Sequence, residues 1–329
     1  QHLLFLSTYD QLPQMIRNTS GGRPFSRLAP TYYTYDIFDK VNDSRFWKSF
    51  QTKSMVNNKS GNYYVNGDLG VMYIINSPTD TRFAKTKNDN TIIYSKTGKT
   101  IPSVFVAYAA DNVRLSTTEL RFYASISKHM DGGRTDFTTE RGTRDLILAR
   151  SAETYLMAAE AKIRLAKLGT GSYSDALSYI NTVRNRGAYK SGEDRAAYTD
   201  GGAAWTPAGQ GTRAVSFMPE NSYYESNNIT PTTAATSLTI NNINTLPAAD
   251  LAVIAKLGYS SDYDRMLCLI LNERTRELCG EFHRWEDLSR TKTLIARAKA
   301  FNPDAAPNIL ERHNLRPIPQ SFLDAIFTN

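Results

Sequence analysis

The spacing of apolar residues along the chain changes at about residue 144. Upstream of it, short apolar runs such as residues 70–75 and 103–108 lie between turn-rich stretches, a pattern typical of strands. Downstream, apolar residues recur at helical spacing, which predicts amphipathic helices. The pattern therefore predicts a mainly α fold with irregular loops and small β-hairpins.

Capping residues and glycines set the predicted helix ends. A first long helix is predicted from residue 144 to the stop at Gly169, and a second over 176–186 begins after the polar residues 172–175. The two form an αα-hairpin whose joint resembles that of a tetratricopeptide repeat. The other predicted helices lie over 32–41, 261–279, 283–291, 293–301 and 321–327. Gly280 ends the helix over 261–279, and the last helix is expected to pack Phe322, Ile326 and Phe327. A strand-like run is predicted over 2–6 and an extended segment over 315–319.

Composition and charge exclude several classes of protein. The chain has 329 residues and a formal net charge of +7, but its basic residues alternate with acidic ones instead of forming a patch, so no nucleic-acid partner is predicted. No apolar stretch is long enough for a membrane-spanning helix. Cys268 and Cys279 lie in one predicted helix, about 16 Å apart by helical rise, which is too far for a disulfide.

Glu277 and Glu281 are the strongest candidates for catalytic residues. Two carboxylates one helical turn apart have a spacing that a glycosidase can use, but flanking arginines would keep both ionised, which suits ion pairs better than a general acid. We therefore predict no enzymatic activity. We expect Trp285 to pack with neighbouring leucines, beside exposed ion pairs worth a few tenths of a kcal/mol each. The predicted pairs are Glu273–Arg276, Glu281–Arg284, Asp287–Arg290 and Glu286–Arg290.

Motifs for metals and cofactors are weak. The four histidines lack zinc-site spacing, and no glycine-rich phosphate loop follows a predicted strand. Residues 88–90 and 131–133 are rich in oxygen ligands, but neither run continues into a calcium loop with its closing glutamate. Turn chemistry explains both runs, with a structural calcium ion as the alternative. We predict no metal and no cofactor.

Four blocks of sequence occur together in a characteristic order. They are RLAPT at 27–31 followed by NDSRF at 42–46, RSAETYLMAAEA at 150–161, NERTRELCGEFHRWEDLSR at 272–290, and LRPIPQ at 315–320. In this order they resemble a proline-led helix with its Asp-x-Arg turn, the helix that opens a repeat hairpin, the C-terminal signature and the closing segment of the SusD/RagB family. These are surface-exposed nutrient-binding lipoproteins of Bacteroidetes outer membranes.

The resemblance implies a role in nutrient uptake. It implies a single SusD-like domain that binds an oligosaccharide at the extracellular face of the bacterial outer membrane and delivers it to a SusC-like TonB-dependent transporter. Because family members are usually longer and begin with a lipoprotein signal, we expect the N-terminal part, with its lipid anchor, to be missing here. The expected parts of the domain are a mixed region (1–143), a repeat-like hairpin (144–188), a loop-rich insertion (189–260) and C-terminal helices with a tail (261–329).

Aromatic residues in polar, loop-like contexts are the candidate ligand-binding residues. Sugar rings present apolar C–H faces edged with hydroxyl groups, and such faces pack against flat aromatic side chains. Trp205 is the first candidate, since no apolar periodicity around it predicts burial. Trp47 is instead expected to pack against the helix predicted over 32–41. The other candidate ligand-binding residues are Tyr198, Tyr223, Tyr224, Tyr63 and Tyr64.

Three alternatives to glycan capture stay open. A RagB-like uptake protein would bind peptide in a cleft lined by charges and backbone-pairing groups. A helical-repeat adaptor would have no small-molecule site, and its aromatic residues would be buried. A hydrolase would depend on Glu277 and Glu281 for turnover.

Overall fold

Helices make up most of the part of the chain that the structure describes. The computed structural model describes residues 2–17, 21–58, 60–62, 69–75, 92–93, 100–101, 104–106, 121–130, 140–142, 145–193 and 234–327. Its α-helices are α1 (Tyr32–Asp36), α2 (Ser44–Ser49), α3 (Ser151–Lys167), α4 (Leu177–Gly187), α5 (Ala248–Leu257), α6 (Asp262–Leu278), α7 (Arg284–Arg290), α8 (Leu294–Phe301) and α9 (Gln320–Phe327). Its strands are β1 (Phe50–Gln51), β2 (Lys53–Met55), β3 (Leu69–Ile74), β4 (Ile92–Ile93), β5 (Thr100–Ile101), β6 (Val104–Val106) and β7 (Ser125–Ile126).

Helices α3 and α4 form the predicted αα-hairpin. Helix α3 ends at Lys167, and the left-handed backbone at Gly169 (φ +81°) turns the chain, a conformation that glycine adopts without a steric penalty. Ser172 and Asp175 then form a capping box, which satisfies free backbone N–H groups at the start of the next helical turn. Both ends of this turn follow from local sequence signals, and the prediction of the hairpin is confirmed.

Helix α6 lies at the centre of the helical part and contacts α3, α4, α5 and α7. The hydroxyl of Ser261 caps its start by accepting a hydrogen bond from the backbone N–H of Asp264 at 3.1 Å. The helix ends at Leu278, two residues before Gly280 adopts φ +82°. Every side chain from Met266 to Leu278 is buried, although the second half of this stretch is polar and charged. Those buried charges need partners from other elements.

Helix α5 lies inside the segment that the sequence analysis assigns to a loop-rich insertion, so that part of the prediction is wrong. Pro247 precedes the helix, and Gly258 closes it in the left-handed conformation (φ +69°). A proline before and a glycine after a helix are ordinary helix limits. Helix α5 packs against α6 as the first member of a second helix pair and contributes the fully buried Asp250.

The strands form three small sheets in the described residues. Strand β3 pairs antiparallel with β2 and parallel with β6, while β1 pairs antiparallel with β7 and β4 antiparallel with β5. Strands β3 and β6 correspond to the two apolar runs predicted to be strands. The pairing of β1 with β7 joins the end of α2 to the segment over 121–130, which lies next to the end of α6.

An aromatic cluster connects the first part of the chain to the helices. Phe46, Trp47 and Phe50 are fully buried, and the rings of Phe46 and Phe50 lie 5.1 Å apart between their centroids. The indole N–H of Trp47 donates to the backbone carbonyl of Lys40 at 2.7 Å, so Trp47 packs where the sequence predicts. The indole therefore keeps a hydrogen-bond partner while its ring is removed from water.

Three predictions of the type or the limits of an element are wrong. Residues 2–4 form a 3-10 turn instead of a strand, because the backbone carbonyls of this segment accept hydrogen bonds from residues 25–28 and not from a neighbouring strand. Helix α1 stops at Asp36 because the carboxylate of Asp39 accepts hydrogen bonds from two following backbone N–H groups, which favours a turn. Residues 145–150 precede α3 in a non-helical conformation, and Arg150 itself is extended, with φ −151°.

The C-terminal helix α9 forms where it is predicted but does not pack as predicted. Residues 316–319 have no regular structure, and the helix follows at Gln320. Phe322 and Ile326 remain 56% and 52% exposed, so these side chains do not enter the core. The side chain of Phe327 lies outside the described residues.

Candidate functional site

The charged half of α6 is buried in a network of ion pairs centred on Glu273. This carboxylate is fully buried and contacts the guanidinium groups of Arg45 at 2.7 Å, Arg184 at 2.9 Å and Arg276 at 2.7 Å. Burial by itself would raise the pKa of Glu273, but the three arginines outweigh it and hold the pKa well below its usual range. Glu273 is therefore a permanent buried anion. Two of its three partners come from other helices.

Arg45 connects the Asp-x-Arg turn of the first region to α6. Its Nε and Nη2 donate to the two carboxylate oxygens of Asp43 at 2.8 and 2.6 Å, while Nη1 donates to Glu273 and, at 3.0 Å, to Glu277. The guanidinium passes directly over Gly187, the last residue of α4. A Cβ atom at this position would lie 2.5 Å from Nε of Arg45, so the glycine provides space that no other residue would leave.

Glu277 and Glu281 are held by cations from four other segments. Glu277 accepts hydrogen bonds from Arg45, Arg150 and Arg186, and Glu281 accepts from Arg150 at 2.7 Å and Lys128 at 3.1 Å. Against the opposing effect of burial, these cations lower the pKa of Glu277 to about 2 and also lower the pKa of Glu281. A glycosidase general acid needs a raised pKa. The electrostatics of this pair are those of structural ion pairs.

A second group of ion pairs joins α3 to α7. Arg274 donates to Asp287 at 2.6 Å and to Glu153 at 3.2 Å, and Arg290 contacts both Asp287 at 2.8 Å and Glu160. Of the four pairs predicted within the signature, Glu273–Arg276 and Asp287–Arg290 are present. In the described residues the other two predicted pairs are replaced by contacts with more distant segments.

Burial changes the energetics predicted for these charges. The predicted ion pairs are expected to be exposed, whereas Glu273 and Arg276 of the first pair are 0% and 2% exposed, so that expectation is wrong for this pair. A buried ion pair gains little net stability, because desolvation offsets the attraction, but removing one partner costs about 3–5 kcal/mol. The network therefore fixes how α2, α4 and the segment before α3 are placed against α6.

An open groove of about 500 Å³ runs along the end of α6, beside α7 and α8. Leu28, Phe282 and Trp285 line it and are 40%, 49% and 39% exposed. Trp285, which is expected to pack with neighbouring leucines, lines this groove beside Leu278 and Leu288 and is not part of the buried core. Phe282 has a positive φ of 65°, and its ring lies 5.5 Å from that of Phe5 between centroids. A positive φ is costly for an aromatic residue and is typical of functional sites.

The candidate ligand-binding residues from the sequence lie outside the described residues. They are Trp205, Tyr198, Tyr223, Tyr224, Tyr63 and Tyr64. The oxygen-rich runs 88–90 and 131–133 lie outside them as well. Within the described ranges, no group of three or more histidine, cysteine or acidic side chains converges in a way that could hold a metal ion.

Comparison with known proteins decides the family. The sequence model of the SusD family matches residues 14–325, which is nearly the whole chain. The chain belongs to the SusD family. Neither a curated protein nor a solved structure matches it. The mainly helical structure agrees with this membership, and SusD-family proteins are nutrient-binding proteins rather than enzymes, typically associated with the outer membrane.

The family match includes every block on which the sequence resemblance rests. It covers the Asp-x-Arg turn with Arg45, the hairpin α3–α4, the signature over 272–290 and the closing segment over 315–320. In this SusD-family protein the signature forms the buried network and one wall of the groove. Among the helices of the described residues, none is both long and apolar enough to cross a membrane.

Sequence reasoning missed the distant partners of the signature. Arg184 and Arg186 lie in α4, Asp250 in α5 and Lys128 beside β7, and none of them stands at a helical spacing from its partner. The available signal was indirect. The residues from Met266 to Leu271 form an apolar run that covers every face of the helix, which indicates that this part of α6 is surrounded by protein, and the charged stretch from Asn272 to Glu277 follows it directly.

Proposed function

We propose that this SusD-family protein captures an oligosaccharide at the extracellular face of the bacterial outer membrane. The family match over residues 14–325 carries the proposal, because proteins of this family bind oligosaccharide ligands. Capture needs no covalent step. Aromatic side chains pack against the C–H faces of the sugar, and polar groups donate to and accept from its hydroxyls.

The captured sugar then passes to a SusC-like TonB-dependent transporter, the partner with which proteins of this family generally work. Binding through several weak contacts suits such a transfer, since each contact contributes little and the complex can be released quickly. A single very tight contact would favour storage over delivery.

Trp205 is the residue we propose as the main sugar platform, with Tyr198, Tyr223, Tyr224, Tyr63 and Tyr64 as further ligand-binding residues. The sequence context of Trp205 supports this role, since glycines and alanines precede it and Thr206-Pro207 follows, with no apolar periodicity to bury it. A tryptophan that pins its own loop would have the same context. A binding measurement separates the two.

The test is native affinity electrophoresis of the full-length protein in gels that contain one polysaccharide each. We expect retardation by at least one glycan, and about a tenfold weaker interaction in Trp205→Ala, since one stacked aromatic contributes on the order of 1 kcal/mol or more. Trp285→Ala is the matched control, because it removes the same side chain from the groove beside α7.

Two results assign the site, and a third rejects the proposal. Retardation that is lost in Trp205→Ala and kept in Trp285→Ala places the sugar at Trp205. The reverse result keeps glycan capture but moves the site to the groove. If no glycan in the panel retards the protein, the proposed ligand class is wrong, and peptide ligands, as in the RagB branch, are tested next.

A further inference from the structure

Two arginines that line the groove have no carboxylate partner among the residues that the structure describes. Arg297 donates to the side chain of Asn272 at 3.0 Å, to the hydroxyl of Tyr33 at 3.3 Å and to Sγ of Cys268 at 3.1 Å. Arg284 donates to the backbone carbonyl of Leu271 at 2.8 Å and to the same tyrosine hydroxyl at 3.3 Å. All of these acceptors are neutral.

The other buried arginines of α6 and its neighbours are compensated. Arg45, Arg184, Arg274 and Arg276 each contact at least one carboxylate oxygen at 3.0 Å or less. Arg297 is buried and Arg284 is half-buried, and burying a guanidinium without an opposite charge is costly, so this pair is unusual. Burial, together with the neighbouring Arg297, lowers the pKa of Arg284, whereas contacts with Tyr33 and Cys268 outweigh burial and raise the pKa of Arg297.

Unused hydrogen-bond donors accompany this uncompensated charge. Arg297 is 2% exposed, and its Nε donates to no acceptor in the described part of the chain. The same holds for Nη1 of Arg274, which lines the same groove. Buried donors are nearly always paired with protein or ordered water in folded proteins, so we expect a polar acceptor, a water molecule or a ligand oxygen, beside each of these atoms.

Most of the rest of the groove lining is apolar, and the groove is open. Leu28, Phe282 and Trp285 are partly exposed along it, and a volume of about 500 Å³ is typical of sites for small molecules. Asp287 also lines the groove, but Arg274 and Arg290 already hold both of its oxygens. An anion with an apolar body complements such a surface.

We propose that this groove binds a small apolar carboxylic acid, with its carboxylate on Arg284 and Arg297 and its apolar part against Phe282 and Trp285. A planar carboxylate matches the fork of a guanidinium group. Removing a singly charged carboxylate from water into an apolar groove also costs less free energy than removing a phosphate ester. The site is separate from the proposed sugar platform at Trp205, and its test does not depend on glycan capture.

Isothermal titration with octanoate, octanol and octyl phosphate tests the proposal, because the three probes share one apolar chain. We expect octanoate to bind at least about tenfold more tightly than octanol, as one charge-assisted contact contributes roughly this factor. In Arg284→Gln the two affinities should come within about twofold. Arg316→Gln is the matched control, since Arg316 is exposed and contacts only Glu286 among the described residues. It should bind like the wild type.

Two further readouts keep the test informative if Arg284→Gln does not fold. Trp285→Ala, at an exposed position, should weaken octanoate and octanol by the same factor, and added salt should weaken octanoate alone in the wild-type protein. Equal affinities for octanoate and octanol, or no binding of either, would overturn the proposal. Tighter binding of octyl phosphate than of octanoate would also overturn it and assign the site to phosphate esters.

Discussion

Replacing Glu277 by glutamine tests whether the buried network has the electrostatics derived above. The substitution keeps the shape of the side chain and removes the negative charge that Arg45, Arg150 and Arg186 share. These arginines lower the pKa of Glu277 from 4.5 to about 2, and at about 1.4 kcal/mol per pH unit the charge contributes about 3 kcal/mol to the free energy of unfolding at neutral pH. The usual cost of breaking a buried ion pair is of the same size.

The assay is urea denaturation at neutral pH, followed by far-ultraviolet circular dichroism. We expect Glu277→Gln to lower the free energy of unfolding by about 3 kcal/mol. The control variant Glu286→Gln also removes a glutamate from the signature, but the side chain of Glu286 is 65% exposed and its partner Arg316 lies 3.5 Å away. That variant should differ from the wild type by less than about 0.5 kcal/mol.

The pH dependence provides the decisive comparison. The folded-state pKa of Glu277 is lower than the unfolded value. The contribution of its charge to the free energy of unfolding is therefore complete above pH 4.5 and is lost as the pH falls towards 2. The difference in the free energy of unfolding between the wild type and Glu277→Gln should therefore decrease by about 1.4 kcal/mol per pH unit below pH 4.5. A difference as small as that of Glu286→Gln, or one that stays constant with pH, would refute the reasoning.

Three other substitutions test packing by urea denaturation. Gly187→Ala places a Cβ atom 2.5 Å from Nε of Arg45, so we expect a loss of about 1–3 kcal/mol in the free energy of unfolding. An unchanged free energy of unfolding would mean that the arginine can move aside. Trp47→Ala should lower the free energy of unfolding by about 3–5 kcal/mol because Trp47 is fully buried, whereas Trp285→Ala should lower it by less than about 1 kcal/mol. Equal losses in the two variants would contradict the placement of Trp285 in the groove.

The amphipathic helices and their ends follow from short-range sequence signals. Gly169, Ser172 and Ser261 mark the limits of α3, α4 and α6 because capping and left-handed turns depend only on neighbouring residues. Helix α5 carries such signals in Pro247 and Gly258, so its position was also available from the sequence. The four sequence blocks likewise sufficed to indicate the family.

The partners of the signature and the groove depend on the tertiary structure. Glu273 and Arg276 stand at helical spacing and pair as the sequence predicts, but Arg45 reaches the same carboxylate from a residue 228 positions away. Spacing along one helix reports only which face a side chain occupies, and it does not tell which distant segment covers that face. For this reason the sequence by itself determined that residues 272–290 form charged helices. Only the packing of α2, α4 and α5 on α6 decided that those charges are buried. The same packing decided that Arg284 and Arg297 line an apolar groove.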